Sequence, residues 1–348
     1  MNPIETETIT KTSEPSVDPL HTHRVAEYKH ERPLTTLCCD PTGQYVAAGA
    51  EDLDVQLWNL EDEQRRTLQG HDSWVRSLQF SADSSRLYTA CWGGVVKAWD
   101  LTPPEPTVLY SIQAHQGSAR WVSVSPDGKF LATGGNDLLV KIWDAENGTL
   151  LQAFSGHRRH VYGVQFHPTA PFIVSQDLVG VVKVWNLLTG QAERTFVADM
   201  MTGYDKKFAA DMGGSRDLQF HPDGSRWASA GITKLTNGFA GDQDPIIVVF
   251  DWETCEPLHQ LRAAQNFKGI AWGARFHPRG FVVGAGAHKN GKGELWFYDL
   301  TQDQPYHTVA LPRAARGLGL IGDDRLAVAH VDGNVGVYQM SKPEPHDS

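Results

Sequence analysis

The sequence predicts an all-β fold assembled from seven like units, and three observations predict it. Glycine at 33 and tryptophan at 11 among 348 residues, with short apolar runs broken by turn residues, favour strands over helices. An aromatic residue closes an apolar run seven times, in VQLWN, VKAWD, VKIWD, VKVWN, VVFD, WFYD and VGVYQ; these are Trp58, Trp99, Trp143, Trp185, Phe250, Tyr298 and Tyr338. A second column, Cys39, Phe80, Val124, Phe166, Phe220, Phe276 and Ile321, precedes it, and Phe80 to Trp99, Val124 to Trp143 and Phe166 to Trp185 are each 19 residues.

A third column is stricter still. His30, His71, His115 and His157 each stand 28 residues before their tryptophan, two of them in a Gly-His dipeptide. A period of roughly 40 to 45 residues with Gly-His near its start and Trp-Asp at its end is the pattern of a four-stranded propeller blade. The chain resembles the WD-repeat family of β-propellers over about residues 23–340. The resemblance implies a single seven-bladed β-propeller of four-stranded antiparallel blades, with a buried hydrogen-bonded network per blade. The third unit carries all four network residues, as His115, Thr133, Asp137 and Trp143. Other units depart from the pattern: Gly93 and Val179 stand where aspartate is expected, and Ala48 where Ser or Thr is expected.

Closure follows from what the last unit lacks. After VGVYQM only SKPEPHDS remains, too polar and proline-rich for an outer strand, whereas HRVAEYKH at 23–30 occupies the place of outer-strand segments such as RRTLQGH. The N-terminal segment therefore completes the last blade, which leaves a disordered polar tail over 1–22, the propeller over 23–340 and a C-terminal tail over 341–348.

Composition restricts function. The formal net charge of −10 argues against generic binding to nucleic acid or an anionic membrane, and no apolar run approaches the length of a membrane helix. The N-terminus has neither a basic start nor an apolar stretch of signal-peptide length, and four cysteines without metal spacing suit reduced thiols in a cytoplasmic protein. QFHP at 165–168, QFHPDG at 219–224 and RFHP at 275–278 raise the question of a metal site built by His167, His221 and His277. They fall in one repeated turn on three blades, too far apart to share an ion, so neither metal nor cofactor is expected. Residues 286–293, GAHKNGKG, match a phosphate-binding loop until the last position, where glycine replaces Ser or Thr and a strand follows instead of a helix; they read as a hairpin turn.

The functional signals lie where the repeat breaks. Phe220 to Phe250 spans 30 residues instead of 19, Trp185 to Phe220 spans 35 against 22 to 25 in earlier units, and Phe276 to Tyr298 spans 22. In an antiparallel blade the connection entering strand one and the loop joining strands two and three share a face. The three insertions should gather there, with Tyr204, Lys206, Lys207, Lys234, Phe239 and Lys289 as candidate partner-binding residues. The column four residues before the phenylalanine, Thr35, Arg76, Arg120, Tyr162, Arg216, Trp272 and Gly317, rings the central mouth on that face, with Trp74 and His160 beside it. Arginine and aromatic residues are enriched at protein contacts. The expectation is a non-catalytic scaffold that docks a protein or peptide there, and three arginines suit an acidic partner. A hydrolase or lyase at the channel mouth is the alternative. A nucleic-acid binder is the weaker rival, given the acidity of the chain.

Overall fold

The computed structural model describes residues 17–343, the side chain of Phe239 excepted. Each unit folds as an antiparallel meander of four strands, and seven such sheets form the blades. Burial follows position within the blade. In blade two the second strand, Arg86–Cys91, is buried at five of its six residues, because both faces of the sheet are covered by neighbouring blades. The outer strand, Thr107–Gln113, is buried nowhere and alternates between half-buried and exposed over its last four residues. Core clusters therefore sit between blades rather than within them; one joins Val55, Leu57 and Leu68 of blade one to Leu78, Phe80 and Leu87 of blade two.

The ring closes as the sequence predicts. Blade seven pairs Ala315–Ile321, Arg325–His330 and Asn334–Met340 with Thr22–Lys29, from Thr22 opposite Met340 to Lys29 opposite Asn334 with one bulge at Val25. Of the tail expected over 1–22, residues 1–16 lie outside the described residues. Asp18 donates its amide to Met340 O at 2.7 Å and caps a short 3-10 turn over Pro19–His21, so the ordered chain starts earlier than residue 23.

The polar networks explain the histidine column. In blade three, Trp143 Nε1 donates to Thr133 Oγ1 at 2.9 Å, Thr133 meets His115 Nε2 at 2.8 Å, and His115 Nδ1 meets Asp137 at 2.7 Å. Asp137 accepts from Nδ1–H, so Nε2 is left to accept the threonine proton, and one proton order satisfies the whole chain. Burial would raise the Asp137 pKa, but hydrogen bonds and charge from His115 and Lys141 outweigh it and hold the carboxyl below its usual range. Thr133→Val strands Trp143 Nε1 and His115 Nε2 in the core at once, so a urea melt should report a loss of about 2–4 kcal/mol.

Two departures from the pattern resolve differently. Val179 does not leave blade four without its carboxylate: Asp177, two residues earlier and fully buried, takes His157 Nδ1 at 3.2 Å, while Ser175 bridges His157 and Trp185. The network is kept by a residue the alignment skipped. In blade two Gly93 does leave a gap: His71 bonds Thr89 through Nε2 at 2.6 Å, and its Nδ1 is buried without a partner.

Burial, with the charge of Lys97, pulls the His71 pKa down from 6.5 to about 4. Between those values the unfolded chain binds a proton that the folded chain refuses. Stability is therefore complete above about pH 6.5 and falls with pH, by roughly 3 kcal/mol from this group at pH 4. Urea midpoints measured from pH 7 to 4.5 should drop more steeply for the wild type than for His71→Gln.

The three FHP histidines are struts. His167 accepts the amides of Thr169 and Ala170 at Nδ1 and bonds Gly224 O in the next blade at 3.1 Å through Nε2. His277 repeats this with Arg279 N and Asp323 O of blade seven, whereas His221 keeps Nδ1 2.7 Å from Asp223 in its own turn and reaches blade six only through its ring, edge-on to Phe276 at 5.2 Å. The fit is close enough to need glycine at 224, where φ is +78° and a Cβ would lie 2.4 Å from the His167 ring.

Candidate functional site: the arginine-lined mouth and its crown

A β-bulge places the mouth residues. In six blades the register between strands one and two slips at one residue near the start of strand one: Thr35, Arg76, Arg120, Tyr162, Trp272 and Arg316. A bulged residue is left out of the ladder and its side chain is re-aimed. Arg216 holds the matching place in blade five, its amide donating to Ala230 O at 2.7 Å. In blade seven the expected column residue, Gly317, is displaced by one. Leu320, not Ile321, pairs with Leu326 as Phe80 pairs with Leu87, so Arg316 is the true member. Gly317 instead packs on the neighbouring blade, where a Cβ would lie 2.8 Å from Leu37 N.

These side chains converge on one narrow cavity of about 50 Å³, lined by Arg76, Arg120, Tyr162, Arg216, Trp272 and Arg316, with the hydroxyl residues Thr35, Thr36 and Ser215. The guanidiniums lie on rings. Arg120 and Arg216 are 4.1 and 5.2 Å from the Tyr162 centroid, Arg216 and Arg316 are 5.6 and 4.7 Å from Trp272, and Arg76 is 5.2 Å from Trp92. Cation–π contact and stacking hold the planar groups without supplying negative charge.

No carboxylate is ion-paired with any of the four arginines among the described residues. Burial, reinforced by repulsion from Arg216 and Arg120, pulls the Arg76 pKa down to about 10. Burial lowers Arg120, Arg216 and Arg316 as well. Arg216 Nε and Trp272 Nε1 are buried without hydrogen-bond partners. The mouth is thus a ring of cations, fixed in direction and short of acceptors.

Trp74 and His160 flank this cavity without lining it. Trp74 donates Nε1 to Glu51 O at 3.1 Å and packs against Trp92 with ring centroids 5.5 Å apart. Both tryptophans are substantially exposed, at 37% and 43%. The His160 pKa is lowered by burial and by the charges of Arg120 and Arg159.

The insertions meet on this side. The blade four to five connection forms a hairpin, Thr202–Asp205 with Ala210–Gly213, that carries exposed Tyr204, Lys206 and Lys207. The buried carboxylate of Asp205 accepts the amides of Lys207 and Phe208 within the hairpin and that of Gly238 in blade five. In blade five, Arg226–Asn237 and Asp242–Asp251 extend the hairpin in which Gly238–Ala240 forms the turn. Lys289 of blade six bonds Asp242 at 2.6 Å, Lys234 lies 3.7 Å from Asp244, and Arg159 of blade four bonds Asp211 at 2.9 Å.

Lys234 and Lys289 therefore brace this crown as members of ion pairs. The Phe239 side chain lies outside the described ones. The GAHKNGKG segment is the end of strand Val282–His288, a turn over 289–292 and the first residue of strand Gly293–Tyr298. Crown and mouth are continuous through Gly214, where φ is +80° and a Cβ would lie 2.7 Å from the Tyr162 ring, two residues before Arg216.

Sequence reasoning missed Arg316, hidden by the offset of one in blade seven, and Trp92, whose only signal is its place directly after strand two. Among the described residues no group of three or more His, Cys, Asp or Glu could hold a metal ion, and no helix is long and apolar enough to cross a membrane. The cysteines at 38, 39, 91 and 255 are free thiols.

Comparison with known proteins bears on the blades carrying the networks: residues 21–59, 62–100, 106–144 and 148–186 match the WD domain, G-beta repeat. The chain carries four WD repeats in a seven-bladed propeller. It is 30% identical over 176 residues to the COMPASS component SWD3 of Saccharomyces cerevisiae, covering 48% of this chain and 55% of that protein. It is 25% identical over 158 residues to transcription initiation factor TFIID subunit 5 of Caenorhabditis elegans, covering 45% and 24% respectively. It is likewise 25% identical over 189 residues to the nuclear distribution protein PAC1 of Arthroderma benhamiae, covering 48% and 41%. This propeller thus spans between about a quarter and about half of each of these relatives.

Proposed function

We propose that this propeller is a docking platform for a protein or peptide, without chemistry of its own, and that its partner presents an acidic group to the mouth. The observation that carries this reading is the ring of Arg76, Arg120, Arg216 and Arg316, stacked on aromatic rings and lacking any carboxylate ion pair among the described residues. Guanidiniums so arranged offer paired N–H groups to a carboxylate or phosphate at little cost in side-chain entropy.

Around that anchor, the Trp74–Trp92 pair supplies apolar area and the crown supplies a rim over blades four to six. The names of two relatives, a COMPASS component and a TFIID subunit, place those proteins in assemblies, which supports a scaffold role here. A cytoplasmic location belongs to the same proposal and is checked by fractionation.

The experiment is affinity capture with the intact chain beside a variant in which residues 232–244 are replaced by Asn-Gly, each captured protein then being purified and retested for direct binding. Loss of binding to the shortened variant, with its thermal unfolding preserved, supports docking on this face. Equal binding to both overturns it. Binding of duplex or single-stranded nucleic acid that falls steeply with salt would replace the protein-docking reading.

A further inference from the structure

A second cleft, separate from the mouth, lies at the edge of the crown between blades five and six. It encloses about 280 Å³ and is lined by Lys234, Asp244, Arg262, Phe267, Lys268 and Gln304 among others, at the lower end of small-molecule sites in size. Three cations face one carboxylate. Asp244 is shared between Lys268 at 2.5 Å and Lys234 at 3.7 Å, whereas the guanidinium of Arg262 has no ion pair among the described residues. Its Nη2 donates to Gln260 Oε1 at 2.8 Å, and its Nη1 is buried with no acceptor. A buried donor without a partner destabilises the fold unless something accepts from it.

The surroundings hold these groups in place. The Arg262 amide donates to Asp303 O at 2.8 Å, and its carbonyl accepts Tyr298 Oη–H at 2.9 Å, which fixes the backbone from both sides. Phe267 is buried edge-on against His288 and Trp296, at 4.9 and 5.1 Å, and gives a rigid apolar wall. Lys234 and Asn266, at φ +48° and +68°, both line the cleft and hold left-handed backbone conformations that non-glycine residues rarely adopt.

We propose that this cleft binds the phosphate group of a small phosphate monoester, with Arg262 and Lys268 as its principal donors and Phe267 as the wall for the organic part. Lining charges of three positive and one negative leave room for a dianion, which a phosphate monoester supplies near neutral pH and a single carboxylate does not. A free metabolite and a phosphorylated side chain share this chemistry, and the size of the cleft favours the former.

The test is a two-dimensional amide NMR titration of the full chain with inorganic phosphate, ribose 5-phosphate and a phosphoserine peptide, and with ribose as control. The expected result is saturable shifts at Asp244, Arg262, Phe267, Lys268 and Gln304, with ribose 5-phosphate binding at a Kd of about 1 mM or tighter and ribose giving none. Stronger binding of the peptide would keep the phosphate site and change its source.

Binding should weaken at least tenfold in Arg262→Gln. The double variant Lys234→Gln, Lys268→Gln, which removes both ion pairs of Asp244 but leaves Arg262 and its backbone contacts in place, should show the same loss if Arg262→Gln fails to fold. Absence of saturable shifts at tens of millimolar, shifts confined to the mouth, or shifts unchanged in both variants would overturn the assignment. None of these outcomes bears on docking at the mouth, which is tested by substitution of Arg76, Arg120 and Arg216, none of which lines this cleft.

Discussion

A chain that begins at Glu31, without the strand Thr22–Lys29, is expected to lose its cooperative thermal transition and to elute in the void volume. That strand pairs with Asn334–Met340 at every residue but the bulged Val25, and its removal leaves blade seven with three strands and an unpaired edge. It also removes Tyr28, buried against Trp58 of blade one at 6.4 Å between ring centroids, and Ala26 from the cluster joining blades seven and one. Stability of a domain this size is a small difference between large terms, so opening a ring exceeds what the remaining contacts can offset. An exposed, ordered edge then recruits other chains. Val25→Ala, at an exposed position of the same strand, serves as the control and should leave the transition unchanged. A truncated chain that melts like the wild type would show that closure by this strand is dispensable.

Replacing Arg76, Arg120 and Arg216 together by glutamate should abolish binding of an acidic partner. A hydrogen bond to a charged group contributes about 1.5–3 kcal/mol, so losing even two of them lowers affinity by a factor of roughly 100 or more, before the added repulsion counts. None of the three arginines holds a carboxylate in an ion pair, although Arg120 Nε donates to Asn136 Oδ1 at 2.5 Å, so thermal unfolding of the variant is measured beside its binding. Replacement by glutamine should give a smaller loss, since it removes charge without reversing it. Arg279→Glu, in an exposed turn of blade six away from the mouth, should bind as the wild type does. Isothermal titration of a purified partner measures all four, and undiminished binding by the glutamate triple variant would remove the mouth from the docking surface.

The architecture was legible because its repeating groups are buried and therefore tied to fixed spacings. Trp143, Thr133 and His115 must meet, so their separations in sequence are set by strand length. Legibility fades in blades five to seven, where aromatic packing takes over the part of the polar network. In blade five Trp227 stacks on Phe250 at 5.0 Å and meets Trp252 edge-on, and such packing tolerates varied residues at varied spacing.

The mouth was legible in outline and wrong in one detail for the same reason. A column counted back from Ile321 falls one residue off when Leu320 is the paired residue, and a single position separates Gly317 in a blade interface from Arg316 in the cavity. Asp177 illustrates the converse, since a side chain two residues away can reach the same histidine. The ion pairs of Lys234 and Lys289 were not legible at all, because their partners, Asp244 and Asp242, are placed by the fold of the insertions and by no repeat.

The docking reading is tested most directly by determining the structure of the chain with a captured partner. The account predicts a carboxylate or phosphate of the partner within hydrogen-bond distance of at least two of Arg76, Arg120, Arg216 and Arg316, with further contacts to the crown. A partner seated on the opposite side of the disc, with no acidic group at these arginines, would contradict it.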